Sequence, residues 1–382
     1  MLLGELHLTI KKNIKRQMKF RLSVYFIFIA SLGFSQNKEQ AKKYTLDASQ
    51  FYGTILLHNP DVTHLIDSHP GGLILSLNRK TYGLEDWEQR YNYPDLGYSF
   101  IYQEFNNEVL ERNFGLFAHY NFYFLKRNLQ FRIGQGLAYN TNPYDKVTNF
   151  RNNAFGSSFL SSTYLMFNFY KENIVKGLGF QAGVVVIHYS NANVKAPNTS
   201  TNTFAFNAGV TYDLDGGKKI AYIETDQEKI TEPIRYNLAF RTGINESDII
   251  NSGQYPFYIF SAYADKRLGA LSALQVGADV FFSKFLKEQI KYQSIAFPEK
   301  NVASNTDYRR VGVFVGHELF INKMSIISQL GYYVYYPYDF EGRVYNRMGM
   351  KRYFNNDFYG VISLKSHGAK AEAVEFGIGI RL

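Results

Sequence analysis

Apolar residues alternate with small or polar residues, with a period of two, through most of this sequence. The alternation is clearest at the C-terminus, where five apolar residues share one face: Val374, Phe376, Ile378, Ile380 and Leu382. Successive side chains of a β-strand point to opposite faces, so the pattern predicts strands with one apolar side. A lipid-facing barrel wall needs that pattern over about 10 residues per strand.

Fifteen segments carry this strand pattern. They lie near 50–58, 70–81, 96–105, 113–124, 128–140, 157–170, 177–190, 204–214, 234–244, 255–265, 274–283, 308–320, 323–336, 352–365 and 370–382. A strand edge left open in hydrocarbon would expose unpaired backbone groups, so such a sheet closes, normally with an even number of strands. We therefore expect an all-β chain whose residues 36–382 form a single transmembrane antiparallel β-barrel of about 14 strands, within a range of about 12 to 16. Two polar stretches, 214–233 and 284–307, are predicted loops.

The composition favours a membrane barrel over a soluble one. The chain has 31 Tyr, 33 Phe and 30 Gly but only 9 Pro, and its mean hydropathy is −0.26. It is therefore rich in aromatic rings without being apolar on average, and after the N-terminus it has no stretch of the roughly 20 apolar residues that a membrane helix needs. A soluble sandwich or lipid-binding barrel also alternates, but with its apolar face inside. The absence of cysteine excludes disulfides, thiol nucleophiles and Cys-based metal sites.

The N-terminus has the pattern of a secretory signal peptide. Lys19 and Arg21 precede the apolar stretch 22–34, and Ser35 follows it. We interpret residues 1–35 as an upstream extension and signal peptide, with Met18 as the expected start, and a single anchor helix as the alternative. Without these residues the formal charge falls from +9 to +4, so the basic balance does not indicate nucleic-acid binding.

One histidine and one serine at the end of a predicted strand suggest chemistry. His188 and Ser190 share the face of Val184 and Val186, and if that face meets lipid, both polar side chains lie on the outside of the barrel. A nucleophilic hydroxyl needs a base, a group that orients the base, and donors for the oxyanion. The amides that follow, at 191–192, are candidate donors. A His-x-Ser pair also arises by chance, so the spacing alone leaves catalysis open.

The segment His188-Tyr189-Ser190-Asn191-Ala192, followed by Lys195-Ala-Pro197-Asn198, resembles the signature of the lipid A 3-O-deacylases, or acyloxyacyl-hydrolase-like outer-membrane proteins. The resemblance implies an esterase in the bacterial outer membrane that removes an ester-linked acyl chain from the lipid A of lipopolysaccharide, with no metal or other cofactor. It also implies an active site on the outer wall of the barrel. By this resemblance His188 is the general base, Ser190 the nucleophile, and Asn191 and Ala192 the oxyanion hole.

The chain departs from that family's pattern in two ways. The family's acidic residue, fourteen positions after the histidine, is here Asn202, and no Asp or Glu occurs between Glu172 and Asp213. Asn202 has outward parity across the hairpin, so its amide oxygen is expected to orient a neutral imidazole, as Asn does in Cys–His enzymes. The family barrel has about eight strands, and this chain has room for more. A non-catalytic channel or structural barrel with a vestigial site is therefore the alternative function.

Other polar clusters give weaker signals. Three histidines and two aspartates near the N-terminus fit a polar turn better than a metal site: His58, His64, His69, Asp61 and Asp67. Five basic residues fit rim charges and lipid A phosphate ligands equally well: Lys195, Arg309, Arg310, Lys351 and Arg352. The sequence makes no prediction about the oligomeric state.

Overall fold

Sixteen strands make up most of the computed structural model, which describes residues 43–227, 229–368 and 370–382. The predicted signal peptide at 1–35 lies outside the described residues. The first eight strands are β1 (Tyr44–Ile55), β2 (Gly71–Arg79), β3 (Asp95–Glu104), β4 (Arg112–Phe124), β5 (Leu129–Asn140), β6 (Phe159–Val175), β7 (Leu178–Ser190) and β8 (Thr201–Asp213). The other eight are β9 (Arg235–Asn245), β10 (Tyr255–Arg267), β11 (Ser272–Ser283), β12 (Arg310–Ile321), β13 (Met324–Tyr335), β14 (Val344–Tyr353), β15 (Phe358–His367) and β16 (Lys370–Arg381).

These strands form two closed barrels and not the single barrel that the sequence predicts. Strands β1–β8 close when β8 pairs with β1, from Thr45↔Asp213 to Ile55↔Thr203. Strands β9–β16 close when β16 pairs with β9. The correction has a physical reason: alternation locates strands but carries no information about which strand pairs back onto the first. Each barrel leaves no open edge, so two barrels of eight satisfy the same hydrogen-bonding constraint as one larger barrel.

The sequence misses one strand and two helices. The missed strand is β14, which has Arg347 and Lys351 at inward positions. These charged residues hide the alternation of apolar and small residues that identifies the other strands. The predicted loop 284–307 contains helix α2 (Lys284–Ala296), whose buried side packs on Tyr338 and Phe340. A shorter helix, α1 (Asp86–Arg90), and 3-10 turns at Pro60–Leu65 and Pro298–Lys300 complete the elements. The predicted loop 214–233 is confirmed: residues 214–227 and 229–234 are neither helix nor strand. Among the described residues, no helix has the length and apolar character to cross a membrane.

The outer walls are apolar, and many side chains inside the barrels are polar. On β8, for example, Phe206 is 70% exposed, whereas Asn207 beside it is buried. On β13, Leu330 and Tyr332 point outward, and Gln329 is buried. This is the reverse of a soluble lipid-binding barrel, whose apolar side faces inward.

Buried ion pairs fill the interior of the second barrel. The guanidinium of Arg347 lies 2.9 Å from Asp279 Oδ2 (from Nη1) and 2.6 Å from Glu375 Oε2 (from Nε), and all three side chains are wholly buried. Lys351 Nζ lies 2.7 Å from Glu318 Oε2. In eight-stranded barrels side chains generally fill the interior. These packed charges do not favour the open, water-filled lumen that the channel alternative needs.

The two barrels contact each other at both ends. At the end that carries the β4–β5 and β12–β13 turns, Tyr91 Oη donates to Phe320 O at 2.8 Å. At the same end Asn322 Nδ2 donates to Glu85 Oε2 at 2.6 Å. At the opposite end, which carries the long loops, the loop after β9 contacts the loop after β7. The barrels therefore lie side by side with their long loops at the same end.

Replacing Arg347 with Met tests the interior network. The substitution leaves Asp279 and Glu375 buried without this cation, and breaking a buried pair in this way costs about 3–5 kcal/mol. We expect a lower urea midpoint of unfolding in detergent, measured by the mobility difference between folded and unfolded protein on SDS gels. The control is Arg309→Met, because Arg309 pairs with Asp307 at the exposed rim. An Arg347→Met midpoint equal to that of Arg309→Met would contradict the stabilising role of the network.

Candidate active site

The candidate site lies on the hairpin of β7 and β8, near the long-loop end of the first barrel. His188 on β7 is directly opposite Asn202 on β8 in the strand register. Both side chains point outward, on the face of Phe180 and Phe206, which are exposed on the wall. The outward parity that the alternation predicts for His188 is therefore confirmed. Strand pairing alone places the imidazole and the amide side by side.

A hydrogen bond fixes the imidazole of His188. Its Nδ1 lies 2.7 Å from Asn202 Oδ1. Because an amide oxygen only accepts hydrogen bonds, Nδ1 carries the hydrogen in this arrangement and Nε2 presents its lone pair. The backbone of Asn202 is itself held, since its carbonyl accepts the N–H of Leu56 at 2.7 Å. The structure thus places the amide oxygen of Asn202 against the imidazole of His188, and its orienting role stays a prediction.

The hydroxyl of Ser190 is engaged by its own loop. Its Oγ donates to Asn198 Oδ1 at 3.0 Å and accepts the N–H of Ala192 at 2.9 Å. The serine is only 5% exposed because the loop 191–200 folds over it. The structure therefore places Ser190 next to His188 along the strand but directs its hydrogen bond to Asn198. Asn198 was missed as a partner; its only sequence signal is its position within the motif.

The two predicted oxyanion donors also have acceptors within the loop. The N–H of Asn191 donates to Asn198 Oδ1 at 2.9 Å, and the N–H of Ala192 donates to Ser190 Oγ. Ala192 has a φ of +53° and Asn193 a φ of +62°. Left-handed backbone is unfavourable for residues with a Cβ, and such strain is concentrated at functional sites. The turn therefore brings both amides to the Ser190 side of the loop.

A second Ser–His–Asn arrangement lies inside the same barrel. Ser99 Oγ lies 2.7 Å from His119 Nδ1, and His119 Nε2 lies 2.7 Å from Asn78 Oδ1. All three residues are buried within the closed barrel, and Ser99 also bonds to Tyr164. The connectivity resembles a catalytic relay, but its place among interior side chains fits a structural network. Unlike these three residues, the pair of His188 and Asn202 faces outward.

The N-terminal histidines form separate contacts with backbone carbonyls. His58 Nε2 lies 3.0 Å from Thr199 O, His64 Nε2 lies 2.8 Å from Arg151 O, and His69 Nδ1 lies 3.1 Å from Gly53 O. Across the residues that the structure describes, no three His, Asp or Glu side chains are grouped to hold a metal ion. These contacts fit the interpretation as polar turns.

Two of the five basic candidates lie inside the second barrel. Arg310 pairs with Glu372 at 2.6 Å, and Lys351 pairs with Glu318. The hypothesis that Arg310 and Lys351 are phosphate ligands or rim charges is therefore wrong, because the parity of β12 and β14 turns them inward. Lys195 is exposed in the loop beside the site, and Arg309 pairs with Asp307 at the exposed rim.

Comparison with protein families covers both barrels. The family model described as lipid A 3-O-deacylase (PagL) matches residues 71–211, from β2 into β8. The model described as acyloxyacyl hydrolase, C-terminal domain, matches residues 234–382, the whole second barrel. The chain belongs to the lipid A 3-O-deacylase family. Residues 212–233, which lie between the two matches, include most of the linker between the barrels. The boundary between the two matches in this deacylase family member therefore coincides with the boundary between the two closed barrels.

Other comparisons add little to the deacylase family assignment. No curated protein matches the chain. Solved structures that it resembles include two mutants of the porin of Rhodopseudomonas blastica. Each is 9% identical and covers 89% of this chain and 99% of the porin, with TM-scores of 0.17 and 0.18. Scores this low carry no argument about this chain.

Replacing Asn198 with Ala tests whether the loop restrains Ser190. Without the Asn198 acceptor, the hydroxyl is expected to turn toward His188, so a serine-reactive fluorophosphonate should label Ser190 several-fold faster. The measurement is the labelling time course of folded protein in detergent. Thr199→Ala is the control, because it removes a different loop contact, from Thr199 Oγ1 to Asn153 O. A rate that is unchanged in Asn198→Ala, or raised equally in both variants, would exclude the restraint.

Proposed function

We propose that this chain is an outer-membrane esterase that removes an ester-linked acyl chain from lipid A. His188 is the general base, Ser190 the nucleophile and Asn202 the residue that orients the base. The observation that carries the proposal is the hydrogen bond between His188 and Asn202 on the outward face of the barrel, two residues along β7 from Ser190. Membership of the deacylase family supports lipid A as the substrate.

The position of the pair suits a substrate that is itself a membrane lipid. The wall below His188 is apolar, with Val184 and Val186 on the same face of β7. Acyl chains in the outer leaflet lie against such a wall, and the ester groups lie at the level of the headgroups. Long loops face the cell exterior in outer-membrane barrels, so the long-loop end corresponds to the leaflet that contains lipopolysaccharide.

The proposed reaction begins with a change of partner at Ser190. The hydroxyl turns from Asn198 toward His188 Nε2, which takes the proton as Oγ attacks the ester carbonyl carbon. The negative charge on the carbonyl oxygen is stabilised by the N–H groups of Asn191 and Ala192, which exchange their present acceptors for it. Collapse breaks the ester bond, and the imidazolium of His188 returns the proton to the departing lipid A alcohol.

Hydrolysis of the acyl-enzyme completes the cycle. Water gives a proton to His188 and attacks the acyl carbonyl, and the second tetrahedral intermediate releases a fatty acid as Ser190 regains its proton. In both halves the imidazole is briefly positive. Asn202 fixes its tautomer but supplies no negative charge, so the imidazolium is less stabilised than beside a carboxylate. We expect a slow deacylase.

A non-catalytic barrel is the second candidate. The engaged hydroxyl of Ser190 and the neutral partner of His188 favour it. It predicts that lipid A keeps all its acyl chains in the presence of the folded protein.

Mass spectrometry of lipid A separates the two candidates. Wild-type protein in detergent with purified lipopolysaccharide is expected to remove one acyl chain, and Ser190→Ala to remove none, because the nucleophilic oxygen is lost. Ser161→Ala is the matched control, since Ser161 lies directly opposite Ser190 on the neighbouring strand. An unchanged lipid A mass with folded wild-type protein, across several lipid A types, would establish the non-catalytic barrel.

An aspartate at position 202 is expected to accelerate the reaction. Asn202→Asp keeps the shape of the side chain and its 2.7 Å contact with His188 while adding the charge that stabilises the imidazolium. We expect kcat to rise at least about 10-fold, and Asn202→Ala to fall below wild type. Initial rates of fatty-acid release give the comparison, with gel mobility confirming that each barrel is folded. A folded Asn202→Asp variant no faster than wild type would contradict the role of Asn202.

A further inference from the structure

The second barrel contacts the loop that carries the candidate oxyanion donors. Glu246 directly follows β9 and is 3% exposed. Its Oε2 accepts the N–H of Ala196 in the first barrel at 3.0 Å, and its Oε1 accepts the N–H of Gly253 at 3.1 Å. Its own N–H donates to Asn193 O at 3.0 Å. Glu246 is thus bonded at its backbone and at its side chain to the loop after Ser190.

The carboxylate of Glu246 is committed to these backbone groups. No Lys or Arg in the described ranges forms an ion pair with it. A buried carboxylate is costly unless hydrogen bonds satisfy its oxygens, and bonds from N–H groups to a charged acceptor are about twice as strong as neutral ones. The position of Glu246 therefore depends on Ala196 and Gly253, and those two amides depend on Glu246.

One peptide group connects Glu246 to the oxyanion donors. The N–H of Ala196 and the carbonyl of Lys195 belong to the same planar peptide unit. Glu246 accepts from the N–H side of that unit, and the side chain of Asn191 donates to its carbonyl side at 2.6 Å. Because the unit is rigid, a carboxylate that fixes one side also fixes the other, and with it the side chain of Asn191.

A neighbouring contact acts on the same loop. Gln254 Nε2 donates to Val194 O at 2.7 Å. Residues 193–196 are therefore held by the second barrel at three successive points, the carbonyls of Asn193 and Val194 and the N–H of Ala196. Closure of the first barrel and the pairing of His188 with Asn202 both involve strands of the first barrel alone. The contacts from the second barrel are therefore not part of either feature. They act on the segment that follows the donor amides.

We propose that Glu246 is a positioning residue for the deacylation and that the second barrel braces the oxyanion loop of the first. This inference rests on the proposed function. Through the Lys195–Ala196 peptide, Glu246 holds Asn191 in the turn that aims the N–H groups of Asn191 and Ala192 at the reacting oxygen. The brace stabilises the transition state, in which the oxyanion forms. It does not take part in binding the acyl chains, which contact the outer wall.

The kinetic test uses the full chain with lipopolysaccharide in detergent, comparing wild type, Glu246→Ala and Glu246→Gln. We expect kcat of Glu246→Ala to fall at least about 10-fold with KM within about twofold, because an imprecise oxyanion hole costs transition-state stabilisation. Glu246→Gln keeps one acceptor oxygen and should lie between the two. Glu85→Gln is the matched control: Glu85 also joins the barrels, but at the opposite end, and it should behave as wild type.

Hydrogen exchange supplies a readout that needs no activity. The backbone amides of residues 191–196 are expected to exchange at least about 10-fold faster in Glu246→Ala than in wild type, with the strands of both barrels unchanged. Glu85→Gln should leave this segment as protected as in wild type. If Glu246→Ala does not fold, Glu246→Gln is judged by the same two measurements.

The outcomes separate the brace from the proposed function. An inactive wild type refutes the deacylase, while exchange in 191–196 still decides whether Glu246 holds the loop. An active wild type with an equally active and equally protected Glu246→Ala overturns the brace and leaves the deacylase standing. A fall in kcat accompanied by faster exchange throughout both barrels also overturns it, because the effect is then general destabilisation.

Discussion

Pairing of β8 with β1, and of β16 with β9, is the constraint on which the rest of this structure depends. Closing after eight strands removes every sheet edge and leaves interiors that side chains fill. It also holds Asn202 from both sides. Its strand pairs with β7, which brings His188 to its side chain, while Leu56, just beyond β1, binds its backbone carbonyl. The β7–β8 hairpin thus brings the outward polar pair together, and closure holds the backbone of Asn202.

Much of the fold is readable from the sequence because apolar side chains must face lipid. That requirement gives the parity of His188 and the strands around it. It does not give the place of closure, which depends on pairing between strands that are far apart in the chain, such as Thr45 with Asp213. The same requirement misses β14, because the inward-facing Arg347 does not match an apolar strand pattern. Its charge is paired with Asp279 and Glu375, which lie on other strands and are not visible in the local sequence.

The candidate site also has a part that the sequence predicts and a part that it does not. Asn202 is predictable, because fourteen residues of hairpin bring it opposite His188. The acceptor that holds Ser190 is not, because Asn198 is placed by the path of an irregular loop and not by any period. The contact of Glu246 is even harder to predict from the sequence. Glu246 lies fifty residues beyond Ala196, in a separate barrel, and no local pattern connects the two residues. Strand registers carry the predictable part of the site, and loop contacts carry the rest.

The order of the two barrels along the chain bears on biogenesis. The strands that bear the histidine and the serine are synthesised first, and the segment that contacts their loop lies in the second half. A precursor that has closed only its first barrel lacks the contacts of Glu246 and Gln254. Because both barrels belong to one chain, the loop after Ser190 meets Glu246 in a fixed one-to-one ratio without an assembly step. On the proposal that Glu246 positions this loop, the site matures only when the C-terminal strand has closed the second barrel.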